Sequence, residues 1–168
     1  MIGNNSNQEC AGIPPRPSVR LLLITGLSGA GRTLSLKALE DLGFEAIDNL
    51  PLNLIGRLLS PLTQPGEDDH AIAIAVDFRR RDFSPEAFDR ATKPLAGRDD
   101  IELTILFLDC DNELLARRFT ETRRRHPLGE DRPIMDGIMR ERQLLAPLKQ
   151  RADLMIDTSN TTVGELRA

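Results

Sequence analysis

Gly26-Leu27-Ser28-Gly29-Ala30-Gly31-Arg32-Thr33 constrains this chain more than any other stretch. The apolar run Leu21-Leu22-Leu23-Ile24 leads into it, and a helical pattern of Leu34, Leu36, Ala38, Leu39 and Leu42 leads out. Strand, glycine loop, helix is the context a phosphate-binding loop requires. Glycines let the backbone curl without a Cβ clash, so successive N–H groups can face phosphate oxygens. The positive N-terminal end of the following helix adds to that attraction. Thr33 falls where a hydroxyl can ligate Mg²⁺. The pattern G-x-x-x-x-G-K-[ST] is met everywhere except at Arg32, which stands where lysine is expected. The competing interpretation is a glycine-rich β-α turn that binds nothing, and Arg32 keeps it open.

Arg32 also fits a wider bias. Only Lys37, Lys93 and Lys149 are lysines among the 22 basic residues. Guanidinium is nevertheless planar and bulky, and it does not replace a compact ammonium freely at a tight phosphate site. With 168 residues and 40% hydrophobic content, one domain with a sizeable core is expected. A net charge of -4 gives no reason to expect nucleic acid over the whole surface. No apolar run approaches the roughly 20 residues that span a bilayer. The N-terminus lacks a basic region followed by an apolar core, so no secretory signal is read there. Cys10 and Cys110 match no metal or redox spacing. A cytoplasmic protein is the expectation.

Residues 1–18 are polar, then rich in proline (Pro14, Pro15, Pro17), and read as a disordered tail. Residues 20–25, apolar on both faces, make the first strand, and residues 32–42 the first helix, stopped by Gly43. Residues 44–47 make a second strand ending in Asp48-Asn49-Leu50-Pro51. That stretch either caps the next helix, over residues 52–59, or places Asp48 toward an acceptor or a water at a strand's carboxyl end. Residues 61–69 read as a loop. A third strand over 71–76, opened by His70, runs into Asp77-Phe78-Arg79-Arg80-Arg81. An acid at the end of an apolar strand is the Walker B pattern, holding Mg²⁺ opposite the loop threonine. Arg79 and Arg80 either meet phosphate or a base edge, or form a solvated turn.

Ser84-Pro85-Glu86 starts a helix to about Leu95. Residues 103–108 make the fourth strand, ending in Asp109, which competes with Asp77 for the metal. Asp77 is preferred on the expectation that its strand lies beside the first. Asp111 or Asn112 caps a helix over residues 113–124. Its arginines, Arg117, Arg118, Arg123 and Arg124, form either a solvated face or a phosphate-facing lid. A helix over 133–150 carries Arg140, Glu141 and Arg142 as its polar face and Leu144, Leu145 and Leu148 as its core face. Pro147 predicts a kink or an early end. Residues 152–156 make the fifth strand, followed by Asp157-Thr158-Ser159 and a last helix from Thr161.

These stretches together resemble the N-terminal domain of the RapZ/YvcJ family of P-loop nucleotide-binding proteins (RNase adapter proteins). The resemblance runs from about Leu21 to Leu166. It rests on the loop, on Lys37-Ala38-Leu39-Glu40-Asp41-Leu42-Gly43-Phe44, Asp48-Asn49-Leu50-Pro51, Asp77-Phe78-Arg79 and Leu106-Phe107-Leu108-Asp109. It continues through Thr122-Arg123-Arg124, His126-Pro127-Leu128, Leu145-Ala146-Pro147-Leu148, Arg151-Ala152-Asp153-Leu154 and Ile156-Asp157-Thr158-Ser159. It implies an α/β, kinase-like P-loop NTPase fold: a five-stranded parallel sheet with helices on both faces, over residues 19–168. It implies binding and slow hydrolysis of ATP and GTP with Mg²⁺. ATP binding maps onto Gly26, Leu27, Ser28, Gly29, Ala30, Gly31, Arg32 and Thr33, and GTP binding onto Asp77, Phe78, Arg79 and Arg80.

In the resulting mechanism water attacks the γ-phosphate. Arg32, Thr33 and Asp77 are the catalytic set, Thr33 and Asp77 the metal ligands, and Arg123 or Arg124 the lid. The family carries a second, C-terminal domain before which this chain ends, so RNA is not expected as a partner of this domain alone. Two alternatives stay open. Arg32 motivates a nucleotide-gated sensor without turnover. Asp48 and the arginine-rich lid motivate a small-molecule kinase.

Overall fold

The computed structural model describes residues 17–63, 69–79, 81, 83–122, 126–128 and 133–161. Its strands are β1 (Val19–Gly26), β2 (Glu45–Asp48), β3 (His70–Ala75), β4 (Ile101–Asp109) and β5 (Leu154–Asp157). They form one sheet in the order β2-β3-β1-β4-β5, and every pairing is parallel. β1 is central, in register with β3 from Val19↔His70 and with β4 from Val19↔Ile101 to Gly26↔Leu108. Burial alternates from Val19 to Leu23, with Arg20 exposed and Leu22 half-buried, and becomes continuous from Leu23 to Gly26, where both faces of the strand are covered.

The helices are α1 (Arg32–Asp41), α2 (Ile55–Leu62), α3 (Pro85–Ala96), α4 (Asn112–Glu121) and α5 (Ile134–Arg151). Crossovers between parallel strands are right-handed. The step from β1 to β2 runs one way across the sheet and the steps toward β4 and β5 run the other. The helices of the two directions therefore cover opposite faces. α1 packs on β1, β2 and β3, while α3 and α5 pack on β4 and on each other. This is the kinase-like P-loop arrangement expected from the sequence. The strand order reverses at β1, so a crevice opens at the carboxyl ends of β1, β3 and β4.

Several boundaries differ from the sequence reading. Residues 52–59 are not one helix: Leu52–Leu54 form a 3-10 turn, closed by the Leu54 N–H on Pro51 O, before α2 begins. α2 then runs through Pro61, held by buried Ile55 and Leu59, where a loop was expected. α5 continues past Pro147 to Arg151, because buried Leu145 and Leu148 anchor both sides of the proline. α4 closes at Glu121, where the Thr122 hydroxyl donates back to Arg118 O.

The largest correction concerns the faces of α5. Glu141 is 1% exposed and lies in the buried row with Ile138, Leu145 and Leu148, whereas Leu144 is 38% exposed. Ser84 and Asp111 cap α3 and α4 as expected, accepting from Ala87 N–H and from Glu113 and Leu114 N–H respectively. The tail lies outside the described residues as far as residue 16. The helix expected from Thr161 lies outside them beyond its first residue. No helix among the described residues is long and apolar enough to cross a membrane.

Candidate functional site

The loop between β1 and α1 is folded by three tethers. Leu27 N–H donates to Leu108 O on β4 (3.1 Å), and Ala30 N–H turns back to Leu27 O (3.0 Å). The buried Thr158 hydroxyl donates to Ala30 O (2.9 Å), binding the loop to the end of β5. Gly26 takes φ 144°, and a Cβ there would sit 2.2 Å from Leu108 O. Gly31 takes φ 105° at the N-cap of α1, the left-handed conformation that favours glycine. Among the described residues, the N–H groups of Gly29, Gly31, Arg32 and Thr33 find no acceptor within the protein. All four residues line one cleft of about 400 Å³. A helix N-terminus with unsatisfied donors carries partial positive charge along this cleft.

Arg32 does not point along the loop. Its Nη1 donates to Val76 O (2.7 Å), and its Nη2 lies 3.3 Å from Asp77 Oδ2. Asp77, two residues past β3, is also gripped by Arg79. The Arg79 backbone N–H reaches Oδ1 at 2.9 Å, Nε reaches Oδ2 at 2.8 Å, and Nη2 closes on Oδ2. Burial alone would raise the Asp77 carboxyl. The hydrogen bonds from Arg79 and the charges of Arg32 and Arg79 outweigh it and hold Asp77 at about 2. Thr33 is exposed at the mouth of the same cleft. The Arg32–Asp77 contact puts Thr33 and Asp77 at one end of the sheet, on the same side of the molecule.

β3 does lie beside β1, but so does β4, so adjacency does not separate Asp77 from Asp109. Surroundings do. Asp109 is tied to Arg142 Nη1 (2.8 Å) and Lys149 Nζ (2.6 Å), away from the loop arginine. Asp48 is exposed at the end of β2, and its charge acts on Arg79. Phe78 is buried and packs in the core. Arg80, Arg123 and Arg124 lie outside the described residues.

Two distant side chains complete the loop, one an arginine of the α4 set and one an acid read from the sequence as solvated. On α4 it is Arg118, not Arg117, that turns to the loop. Its guanidinium donates to Gly29 O (2.9 Å) and Thr158 O (3.3 Å), while Arg117 pairs with Glu121 in solvent. On α5, buried Glu141 accepts the Ser28 N–H at 2.6 Å and contacts His126 Nε2 at 2.7 Å. Burial pushes Glu141 up to about 7, against the Ser28 hydrogen bonds and the Arg32 charge, and burial lowers His126. The spacing Ile138, Glu141, Leu145, Leu148 was the available signal for Glu141. The flanking Arg140 and Arg142 disguised it as part of a polar face.

Comparison with known proteins identifies the family and the fold. The chain is 51% identical over 148 residues to a nucleotide-binding protein of Paramagnetospirillum magneticum, covering 88% of this chain and 47% of that one. It is 47% identical over 153 residues to a nucleotide-binding protein of Sphingopyxis alaskensis, covering 91% and 48% respectively. The chain thus spans about half the length of the curated relatives it matches. Among solved structures, a shikimate kinase from Acinetobacter baumannii in complex with shikimate shares the fold. Its TM-score is 0.55 at 18% identity, over 92% of this chain and 90% of that one. A gluconokinase from Sinorhizobium meliloti gives a TM-score of 0.53 at 14% identity, over 90% and 89%. A family model, the RapZ-like N-terminal domain, matches residues 19–168. Carrying that match over nearly all of its folded length, the chain belongs to the RapZ-like N-terminal domain family.

Proposed function

We propose that this domain binds a nucleoside triphosphate, ATP or GTP, with its phosphates in the loop of residues 26–33, and hydrolyses it slowly. The observation that carries the reading is the set of four N–H groups, at Gly29, Gly31, Arg32 and Thr33, left without acceptors along one cleft. The relatives' naming as nucleotide-binding proteins supports the same reading. Arg118, bridging Gly29 O and Thr158 O at the cleft wall, offers a planar cation to a base or ribose.

The oxygen donors fit Mg²⁺: the Thr33 hydroxyl and the Asp77 carboxylate are hard ligands at one end of the sheet. Bound there, the ion would neutralise β- and γ-phosphate charge. This chain's own residues supply the rest. The loop amides orient the phosphates, and Arg32 and Arg79 screen charge that grows as water attacks the γ-phosphate. Arg79 holds Asp77 in this structure, so phosphate must draw Arg79 away before Asp77 can serve an ion.

Calorimetric titration with ATP and GTP, with and without Mg²⁺, tests the reading. Binding of either nucleotide, strengthened by Mg²⁺, is expected. No heat for either at millimolar nucleotide contradicts it.

One observation favours a second reading, a sensor that does not turn over. Arg32 spends its guanidinium on Val76 O and Asp77 rather than reaching along the loop. Phosphate release by wild type and Arg32→Lys separates the two. A large rise in turnover at little change in affinity marks a sensor, and good hydrolysis by wild type excludes it.

A further inference from the structure

Ser28 sits inside the phosphate loop, yet its N–H does not face the cleft. It donates to Glu141, a residue 113 positions later, on α5. The Glu141 side chain is buried, as is His126 beside it. Leu128 N–H donates to His126 Nδ1 at 3.2 Å, so the ring's proton sits on Nε2 and is given to Glu141 Oε2. The imidazole is itself fixed. It packs edge-on against Phe119, and Gly137 leaves it room on α5, where a Cβ would lie 2.5 Å from Nδ1. A buried carboxylate is costly unless its oxygens are satisfied, and here each oxygen has a donor.

We propose that Glu141 is the positioning residue of the phosphate loop: one carboxylate oxygen clamps the Ser28 N–H while the other is steered by His126. The inference rests on the reading of the loop as the nucleotide site. The clamp fixes the Leu27–Ser28 peptide, one unit ahead of Gly29, and so constrains the direction in which the Gly29 and Gly31 amides face. It also ties the loop to residues 126–128 through His126. Glu141 reaches the cleft through Ser28, which makes it a positioning group and not a catalytic one. Its ionisation is biased by Arg32 from the loop, by Asp77 and Arg79 beyond β3, and by contact with His126.

The test uses the full chain and two readouts. The Ser28 amide is followed by NMR from pH 5.5 to 8.5, and affinity for non-hydrolysable ATP and GTP analogues is measured alongside, in wild type, Glu141→Gln and Glu141→Leu. Glutamine keeps the oxygen that faces Ser28 and gives up only the acceptor facing His126. Leucine removes both. The Ser28 amide resonance is expected to titrate in wild type and to be flat in Glu141→Gln. Affinity is expected to fall about tenfold or more in Glu141→Leu and to stay within about threefold in Glu141→Gln, the loss expected when a buried donor is orphaned.

A Ser28 amide that titrates identically in wild type and Glu141→Gln overturns the proposal, as does wild-type affinity in a folded Glu141→Leu. If Glu141→Leu does not fold, the wild-type and glutamine titrations still decide. If wild type binds neither analogue, the functional reading fails, while the amide titration still shows whether Glu141 holds the loop.

Discussion

Asp77→Asn isolates the charge on which the site is balanced. In the wild type, Arg79 and Arg32 together hold the Asp77 carboxyl at about 2, against 3.8 for a free aspartate. Its side chain is 12% exposed, so solvent screening takes little away. At about 1.4 kcal/mol per pH unit, ionisation of Asp77 contributes about 2 kcal/mol to folding at neutral pH. The sign follows from the lowered value. That stability is complete above the unfolded pKa and is lost as pH falls through 3.8 toward 2.

Asparagine keeps the shape and part of the hydrogen bonding but leaves the two guanidiniums without a counter-charge. Urea unfolding should therefore show Asp77→Asn about 2 kcal/mol less stable at pH 7, a drop of about 4–8 °C in melting temperature for a domain of this size. The gap should narrow by about 1 kcal/mol at pH 3, because wild type has by then begun to lose the same charge. A gap below about 0.5 kcal/mol at pH 7, or one that does not change with pH, refutes the claim that the arginines are anchored through this carboxylate.

Three further outcomes follow from other positions. Gly137→Ala should cost about 1–3 kcal/mol in denaturant unfolding by driving a methyl group into the His126 ring, whereas Gly56→Ala, inside α2 where the added Cβ meets open space, should gain about 0.5–1 kcal/mol. Gly26→Ala should prevent stable folding, since its Cβ would collide with the β4 backbone, while Gly43→Ala, strained at φ 89° but unobstructed, should cost only about 1 kcal/mol. Glu141 is raised to about 7, so the folded protein holds a proton that the unfolded chain releases near 4.5. Burial lowers His126 with the opposite sign in both proteins, so the stability of wild type relative to Glu141→Gln should fall as pH rises from 4.5 to about 8 when unfolding of both is followed across that range.

The frame of this domain was legible because it is written in local patterns. A two-faced apolar strand, a glycine loop and an amphipathic helix lie next to one another in the chain, and no distant residue is needed to recognise them. Asp77 was legible for the same reason, as an acid closing an apolar run. What could not be read was which distant side chains complete the loop. Arg117 and Arg118 are equivalent in type, and the approach of α4 to the loop, not helical spacing alone, decides that Arg118 turns inward. Glu141 was hidden more deeply. Its burial depends on α5 presenting it to Ser28 and on His126 arriving from the preceding segment, and nothing in the composition of Arg140-Glu141-Arg142 distinguishes an acid in the core from one in solvent. The direction of Arg32 was equally beyond spacing, since it is set by Val76 O and Asp77 on a different strand.

The most direct measurement is a crystal structure of the full chain with a non-hydrolysable triphosphate analogue and Mg²⁺. The account predicts phosphate oxygens within hydrogen-bond distance of the Gly29, Gly31, Arg32 and Thr33 amides, with Arg79 swung off Asp77 and the Ser28 N–H still on Glu141. Triphosphate found elsewhere on the sheet, with the loop amides empty, would contradict it.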